Sequence, residues 1–294
     1  MAAVLGLDVA WTPGGSSGAA LAARLGHGWQ CLAVAPGYGL FCDLAHGRLA
    51  AGDQWPDQAG RGPAGSGVRH VRPQGGEADV PALLAACRAL LAGAGRAGEV
   101  TVVAVDMPLS PTPLPGRRVA DNEASRALGR YGCAVHSPTE GRPGALGAAL
   151  TNGFLAQGFP LAVGGGDHPK PALLEVYPHA ELVGLQREVG GVARNALWRC
   201  AYKASRSLRY WPDVPKDGRI AFLLHNFEVI RDMLGQVLGL PALPLPPGTT
   251  LAGLKPYEDC LDALACCATG IRYLEGRARA LGDADGAIWV PDGI

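Results

Sequence analysis

Apolar and polar positions divide the chain into a strand-like front block and a longer block dominated by helical periods. Residues 4–8 form a short apolar run closing on Asp8, the pattern of a buried strand with a polar group at its end. Residues 11–18 are rich in Gly, Ser and Pro and read as a turn. Residues 19–25 and 29–35 follow as two more strands of an antiparallel meander, although the alanines of the first are poor strand formers. From about 37 to 78 the chain is irregular, with many Gly, Pro and Arg residues and little periodicity.

Order returns at Asp79 and Pro81, which open a helix in VPALLAACRALLAGAG that stops at Gly93 or Gly95. EVTVVAVDMP is a continuous β-branched run ending at Asp106, as expected of a strand covered on both faces. Residues 118–131 and 145–157 are helical in composition, and ALLEVYPHA is a further apolar strand carrying Glu175. A long amphipathic helix is expected at 220–238 and a final one at 257–280, starting after Pro256. No repeat of 20–50 residues appears. The order of three strands, helix, strand, helices, strand and helices predicts an α/β chain with a ribonuclease-H-like fold. Its mixed central sheet would have three antiparallel strands, then parallel ones, flanked by helices and carrying insertions. The strands are too few and too front-loaded for a regular dinucleotide-binding alternation. One domain spanning 1–294 is expected, with an irregular insertion at about 37–78 and a helical, basic one at about 180–250.

Composition narrows the partners. Apolar residues make up 48% and charged ones 18%, which suits a folded globular chain and excludes a disordered one. The net charge is zero, so binding of a polyanion must rest on a local basic patch. MAAVLGLDVAW has no basic start and is interrupted by Asp8, so it does not read as a signal peptide. Apolar stretches fall short of the roughly 20 residues of a membrane span. Eight scattered cysteines without a CxxC pair are expected to be buried free thiols, pointing to a cytoplasmic protein without a membrane partner.

The chemistry lies in carboxylates. Asp8, Asp106 and Glu175 each sit in or at the end of an apolar strand, where a charge is costly unless a cation or hydrogen bonds compensate. The last helix adds Glu258, Asp259 and Asp262; the two aspartates, three apart, share a face. Their mutual repulsion would be relieved by a hard divalent cation such as Mg²⁺ or Mn²⁺. The structural alternative is that Asp106 ends a strand and Asp259 caps a helix, with no further role.

Basic residues Arg187, Arg194, Arg199, Lys203, Arg206, Arg209, Lys216 and Arg219 interleave with Trp198, Tyr202, Tyr210 and Trp211. This combination fits a nucleic-acid surface, or else a solvated face whose aromatics point inward. Arg118 or Arg126 could clamp a phosphate, or form helix-surface ion pairs. His136 and His179 are candidate acid–base groups, more often structural when alone. The GGSSG turn is at most a loose phosphate loop.

GLDVAW, VDMPLSP, LLEVYPHA and YEDCLDALACCA, with RRVADNEASR and the Tyr202-Lys203 pair between them, resemble domain-of-unknown-function family 429 over roughly residues 4–292. That family comprises predicted nucleases within the ribonuclease-H-like superfamily that includes RuvC resolvases. The resemblance implies two metal ions held by the first-strand acid Asp8, by Asp106 or Glu175, and by Asp259 with Asp262. It implies Mg²⁺- or Mn²⁺-dependent hydrolysis of DNA or RNA phosphodiesters. From their own positions, Arg118, Arg126, Lys203 and Arg206 are the expected substrate-binding residues. The alternatives are a phosphotransferase or ATPase of the actin and sugar-kinase type, whose second glycine loop could only be residues 163–166, and a non-catalytic nucleic-acid-binding protein of the same fold. A homodimer stays open.

Overall fold

A computed structural model describes residues 2–12, 14–49, 77–166, 168–241, 243–245 and 250–294. Three strands, β1 (Ala3–Asp8), β2 (Gly18–Leu25) and β3 (Gly28–Ala35), form the antiparallel meander. They lead through α1 (Tyr38–Ala45) and α2 (Val80–Gly93) to β4 (Val102–Asp106). Helices α3 (Val119–Leu128) and α4 (Ala145–Ala156) precede β5 (Ala172–Val176). Then come α5 (Pro178–Glu188), the single turn α6 (Ser207–Tyr210), α7 (Lys216–Val237), α8 (Leu251–Leu274) and the hairpin β6 (Ala278–Asp283) and β7 (Gly286–Pro291).

The strands make one sheet in the order β3-β2-β1-β4-β5-β7-β6, with β1, β4, β5 and β7 mutually parallel. This is the mixed, helix-flanked sheet expected from the sequence, in a ribonuclease-H-like arrangement. Among the described residues no helix is long and apolar enough to cross a membrane. All eight cysteines are free thiols.

Strand parity assigns the two faces. Val4, Val102, Ala104, Leu174 and Val176 point to the side covered by α5, α7 and α8. Leu5, Leu7, Val103, Val105 and Leu173 point to the other side, against α1, α2 and α4. Helix α8 is buried on every face from Tyr257 to Tyr273, because it lies between the sheet and α5 and α7.

It approaches the sheet at positions without side chains. A methyl group at Gly6 would overlap the Ala263 carbonyl, one at Gly18 the Asp259 carbonyl, and one at Gly270 the Val4 side chain. The small residues Ala20 and Ala22 complete this seam, which explains strand formation by an alanine-rich segment: tertiary packing overrides propensity.

Three elements differ from the sequence reading. The segment expected to be irregular from 37 contains α1, whose Phe41 is buried in the core; residues 50–76 lie outside the described part. The apolar strand read through YPHA ends at Val176, and Pro178 takes the first position of α5, where its missing N–H costs nothing. The last helix starts at Leu251, capped by Thr250 accepting from the Gly253 N–H at 3.0 Å, and runs through Pro256. It stops at Leu274, before Gly276 at φ 69°, and the residues read as its end form β6.

Gly18→Ala is expected to destabilise the fold by about 1–3 kcal/mol through overpacking. Gly14→Ala, in open space, is its control. Denaturant unfolding that finds the two variants equally stable would contradict the close seating of α8.

Candidate functional site

Parallel pairing sets Asp8 and Asp106 side by side at the C-terminal ends of the two central strands. By parity both face α8, which carries Asp259 and Asp262 one turn apart. One carboxylate oxygen each from Asp8, Asp259 and Asp262 lies within 4.8 Å of the others. Asp259 and Asp262 are 0% exposed, so their charge is met by the protein or by a bound ion and hardly by bulk water.

Two lysines answer part of that charge. Lys203 reaches Asp262, and its Nζ is 3.5 Å from Glu258. Lys255, one turn before the acids on α8, reaches Asp259, and its Nζ is 3.0 Å from Glu258. Tyr202 donates from its hydroxyl to Asp262 at 2.5 Å, and the Ala204 N–H donates to Glu258 at 2.8 Å. Asp8, Asp106, Glu258, Asp259 and Asp262 thus face two ammonium groups, and the balance is negative when all are ionised.

Titration reflects this excess. Burial, then Asp262 and Asp259, hold the Asp8 carboxyl well above its ordinary range against the pull of Lys255 and Lys203. Burial and Asp262 push Asp106 up to about 7. Burial also raises Asp259, although Lys255 and the Ser16 hydroxyl lower it. Burial opposes the charge on Lys203, yet Asp262, Tyr202 and Glu258 hold its pKa well above the usual value.

The residues fit a hard divalent cation. The donor set is all carboxylate oxygen, and Oδ2 of Asp259 is buried without a hydrogen-bond partner of normal geometry. Asp8, Asp259 and Asp262 form the tight group, with Asp106 as the neighbour of Asp8.

Glu175 lies outside this tight group, although it lines the same cavity as Asp8 and Asp106 and its charge adds to the rise of Asp106. It pairs in register with Val105, one residue short of Asp106, so parity turns it to the opposite face of the sheet. There its oxygens accept from Arg118 at 2.5 and 2.7 Å and from the Leu109 N–H at 2.9 Å. Arg118 also binds Asp121, whose carboxylate accepts from the Arg118 N–H at 2.8 Å. Arg118 is therefore engaged in holding the loop after β4 and the start of α3, where the sequence suggested a phosphate clamp. Arg126 is exposed on α3 and does not line the cavity above the acids.

That cavity, of about 450 Å³, is lined by Asp8 and Asp106 together with Asp121 and Glu175, whereas Asp259 and Asp262 do not reach its lining. Its walls include Trp11, His136, Arg142, Tyr177, Arg199 and Arg206. Lys203 and Arg206 both line this cavity, Lys203 as the partner of Asp262 and Glu258, whereas the basic and aromatic stretch around them divides. Tyr202 is buried beneath Asp262, Trp198 packs on Gly132, and Arg187 lies at a separate cavity near Gly293. His136 meets Arg206 at 2.8 Å, and burial with Arg206 and Arg142 lowers its pKa. Burial drives His179 down to about 3, leaving a neutral ring between Tyr177 and Tyr202. Ser16 lines the cavity, while the Ser17 hydroxyl accepts from the Ala10 N–H at 3.2 Å. Gly164 lies against Gly282 of β6, and the 163–166 run does not line the cavity. Lys255 escaped the sequence reading, although its three- and four-residue spacing to Glu258 and Asp259 marks a shared helical face.

Residues 57–286 match the family model described as "Protein of unknown function (DUF429)". No curated protein and no solved structure matches the chain.

A carboxyl raised to about 7 in the folded chain, as at Asp106, keeps a proton that the unfolded chain releases from about pH 4 upward. The contribution of this group to stability is therefore greatest at low pH, falls as pH rises to about 7, and is level above. Melting of the metal-free protein across this window is expected to show that loss, reduced in Asp106→Asn and offset by added Mn²⁺. Identical pH profiles for the variant and the parent would contradict the crowding of charge.

Proposed function

We propose that this chain, which belongs to the DUF429 family, is a divalent-metal-dependent nuclease of the ribonuclease-H-like superfamily that hydrolyses phosphodiester bonds of DNA or RNA. The observation that carries this reading is the buried carboxylate group of Asp8, Asp259 and Asp262, its oxygens within 4.8 Å of one another, beside a cavity walled by arginines.

Asp8, Asp106, Asp259 and Asp262 would hold Mg²⁺ or Mn²⁺. When bound, such ions supply Lewis acidity and a water ionised near neutral pH. The chain's own residues supply placement. The register of β1 and β4 fixes Asp8 beside Asp106, and Tyr202 with Lys203 fixes the rotamer of Asp262. Glu258, held by the Ala204 N–H and both lysines, orients those lysines toward the aspartates. Arg142, Arg199 and Arg206 offer planar donors to phosphate oxygens in the cavity. Burial of the acid group excludes bulk water, which strengthens every charge interaction there. Glu175 serves by anchoring the loop that follows Asp106.

Purified protein is expected to cleave at least one member of a panel of single-stranded, duplex and branched DNA and RNA in Mg²⁺ or Mn²⁺. Chelation should abolish cleavage, and Asp8→Asn and Asp262→Asn should each lower it by about two orders of magnitude or more, while leaving the fold intact by circular dichroism. Cleavage that persists in chelator or in Asp8→Asn, or no cleavage of any substrate, would overturn the reading.

A further inference from the structure

The cavity constrains the form in which a nucleic acid can reach the acids. Asp8, which lines the cavity, is 9% exposed, and its neighbours Asp259 and Asp262 are 0% exposed, so the tight acid group lies below the molecular surface. The space beside it, about 450 Å³, falls among small-ligand pockets of roughly 300–1,000 Å³. Protein surfaces that read duplexes are of another kind: they are open and bury on the order of 1,000–2,500 Å². A duplex carries its phosphates on a stiff cylinder, whereas a strand free of its partner bends into a recess more readily.

The wall has the chemistry to hold such a strand. The guanidinium of Arg142 lies 5.8 Å from the centroid of the Trp11 ring. The His136 ring stands at 77° to the same indole with the ring centroids 6.2 Å apart, and its Nε2 is 2.8 Å from the Arg206 guanidinium. Arg142, Trp11, His136 and Arg206 therefore form a continuous row of cation, aromatic, imidazole and cation in the cavity wall, and Arg199 lines the same cavity. A row of this composition offers a flat apolar face for an unpaired base and positive charge for the phosphates on either side. A base still within a duplex has both of its faces stacked and cannot use the indole.

We infer, on the basis of the nuclease reading above, that the substrate is taken as an unpaired strand of nucleic acid. One base stacks on Trp11, the adjoining phosphates rest on Arg142, Arg199 and Arg206, and the strand turns down to present a phosphodiester to the carboxylates. Base contacts along the wall are stacking contacts, so discrimination is by strandedness and only weakly by sequence.

The test compares labelled single strands of DNA and RNA with duplexes of the same sequence. Binding is followed by anisotropy in Ca²⁺, and cleavage of the same substrates in Mn²⁺. Single strands are expected to bind at least about tenfold more tightly than their duplexes, and Trp11→Ala to weaken single-strand binding by roughly tenfold or more, with Trp11→Phe retaining most of it. Arg142→Ala and Arg206→Ala should each flatten the dependence of log affinity on log salt by about 0.7. Duplexes bound as tightly as single strands, or Trp11→Ala indistinguishable from the parent, would overturn this inference. If metal-dependent cleavage lost in Asp8→Asn were still seen, the nuclease reading would survive that result. Cleavage of neither form would overturn both.

Discussion

Everything at the acid centre depends on one close approach: α8 rests on β1 and β2 with backbone against backbone. Glycines at 6, 18 and 270 leave no side chain between the two layers, and alanines fill the rest of the seam. Asp259 and Asp262 are carried by this helix, Asp8 and Asp106 by the strands beneath it. The distance between the two pairs is therefore set by sterics at the seam, where tight packing resists even one extra methyl group. A geometry fixed in this way does not depend on the charges themselves, which left alone would push apart.

The centre is thus a place where the fold works against local electrostatics. Burial and like charge raise three aspartates above their ordinary range, and two lysines offset only part of the excess. Arrangements of this kind destabilise the chain that bears them and persist where they serve chemistry. The contrast with Glu175 is instructive. It is as buried as the others and lines the same cavity, yet a bidentate arginine and a backbone N–H satisfy it and it also holds the loop after β4.

Much of this architecture is written in the chain. Continuous apolar runs ending at Asp8 and Asp106 announce central strands with acids at their ends, and the spacing of Asp259 and Asp262 announces a shared helical face. The position of Glu175 is not legible in the same way. Which face a strand residue takes depends on register against its neighbour, and no local pattern in a strand buried on both sides records it. The hairpin β6–β7 was hidden by arginines and alanines that favour helix, although Asp285-Gly286 before Ile288-Trp289-Val290 is a turn signal followed by a strand signal. Lys255 sits before Pro256, which reads as a helix boundary and so conceals that the lysine shares a face with the acids.

Because Lys203 and Lys255 already lie among the carboxylates, the polypeptide reaches its native packing with tethered counter-ions of its own. Under the proposed metal-dependent reading, a cation would compete with side chains that stay attached and ready to return, so occupancy would follow the ambient ion supply and release would leave the scaffold standing. Maturation and loading would then be separate events, with a folded idle state.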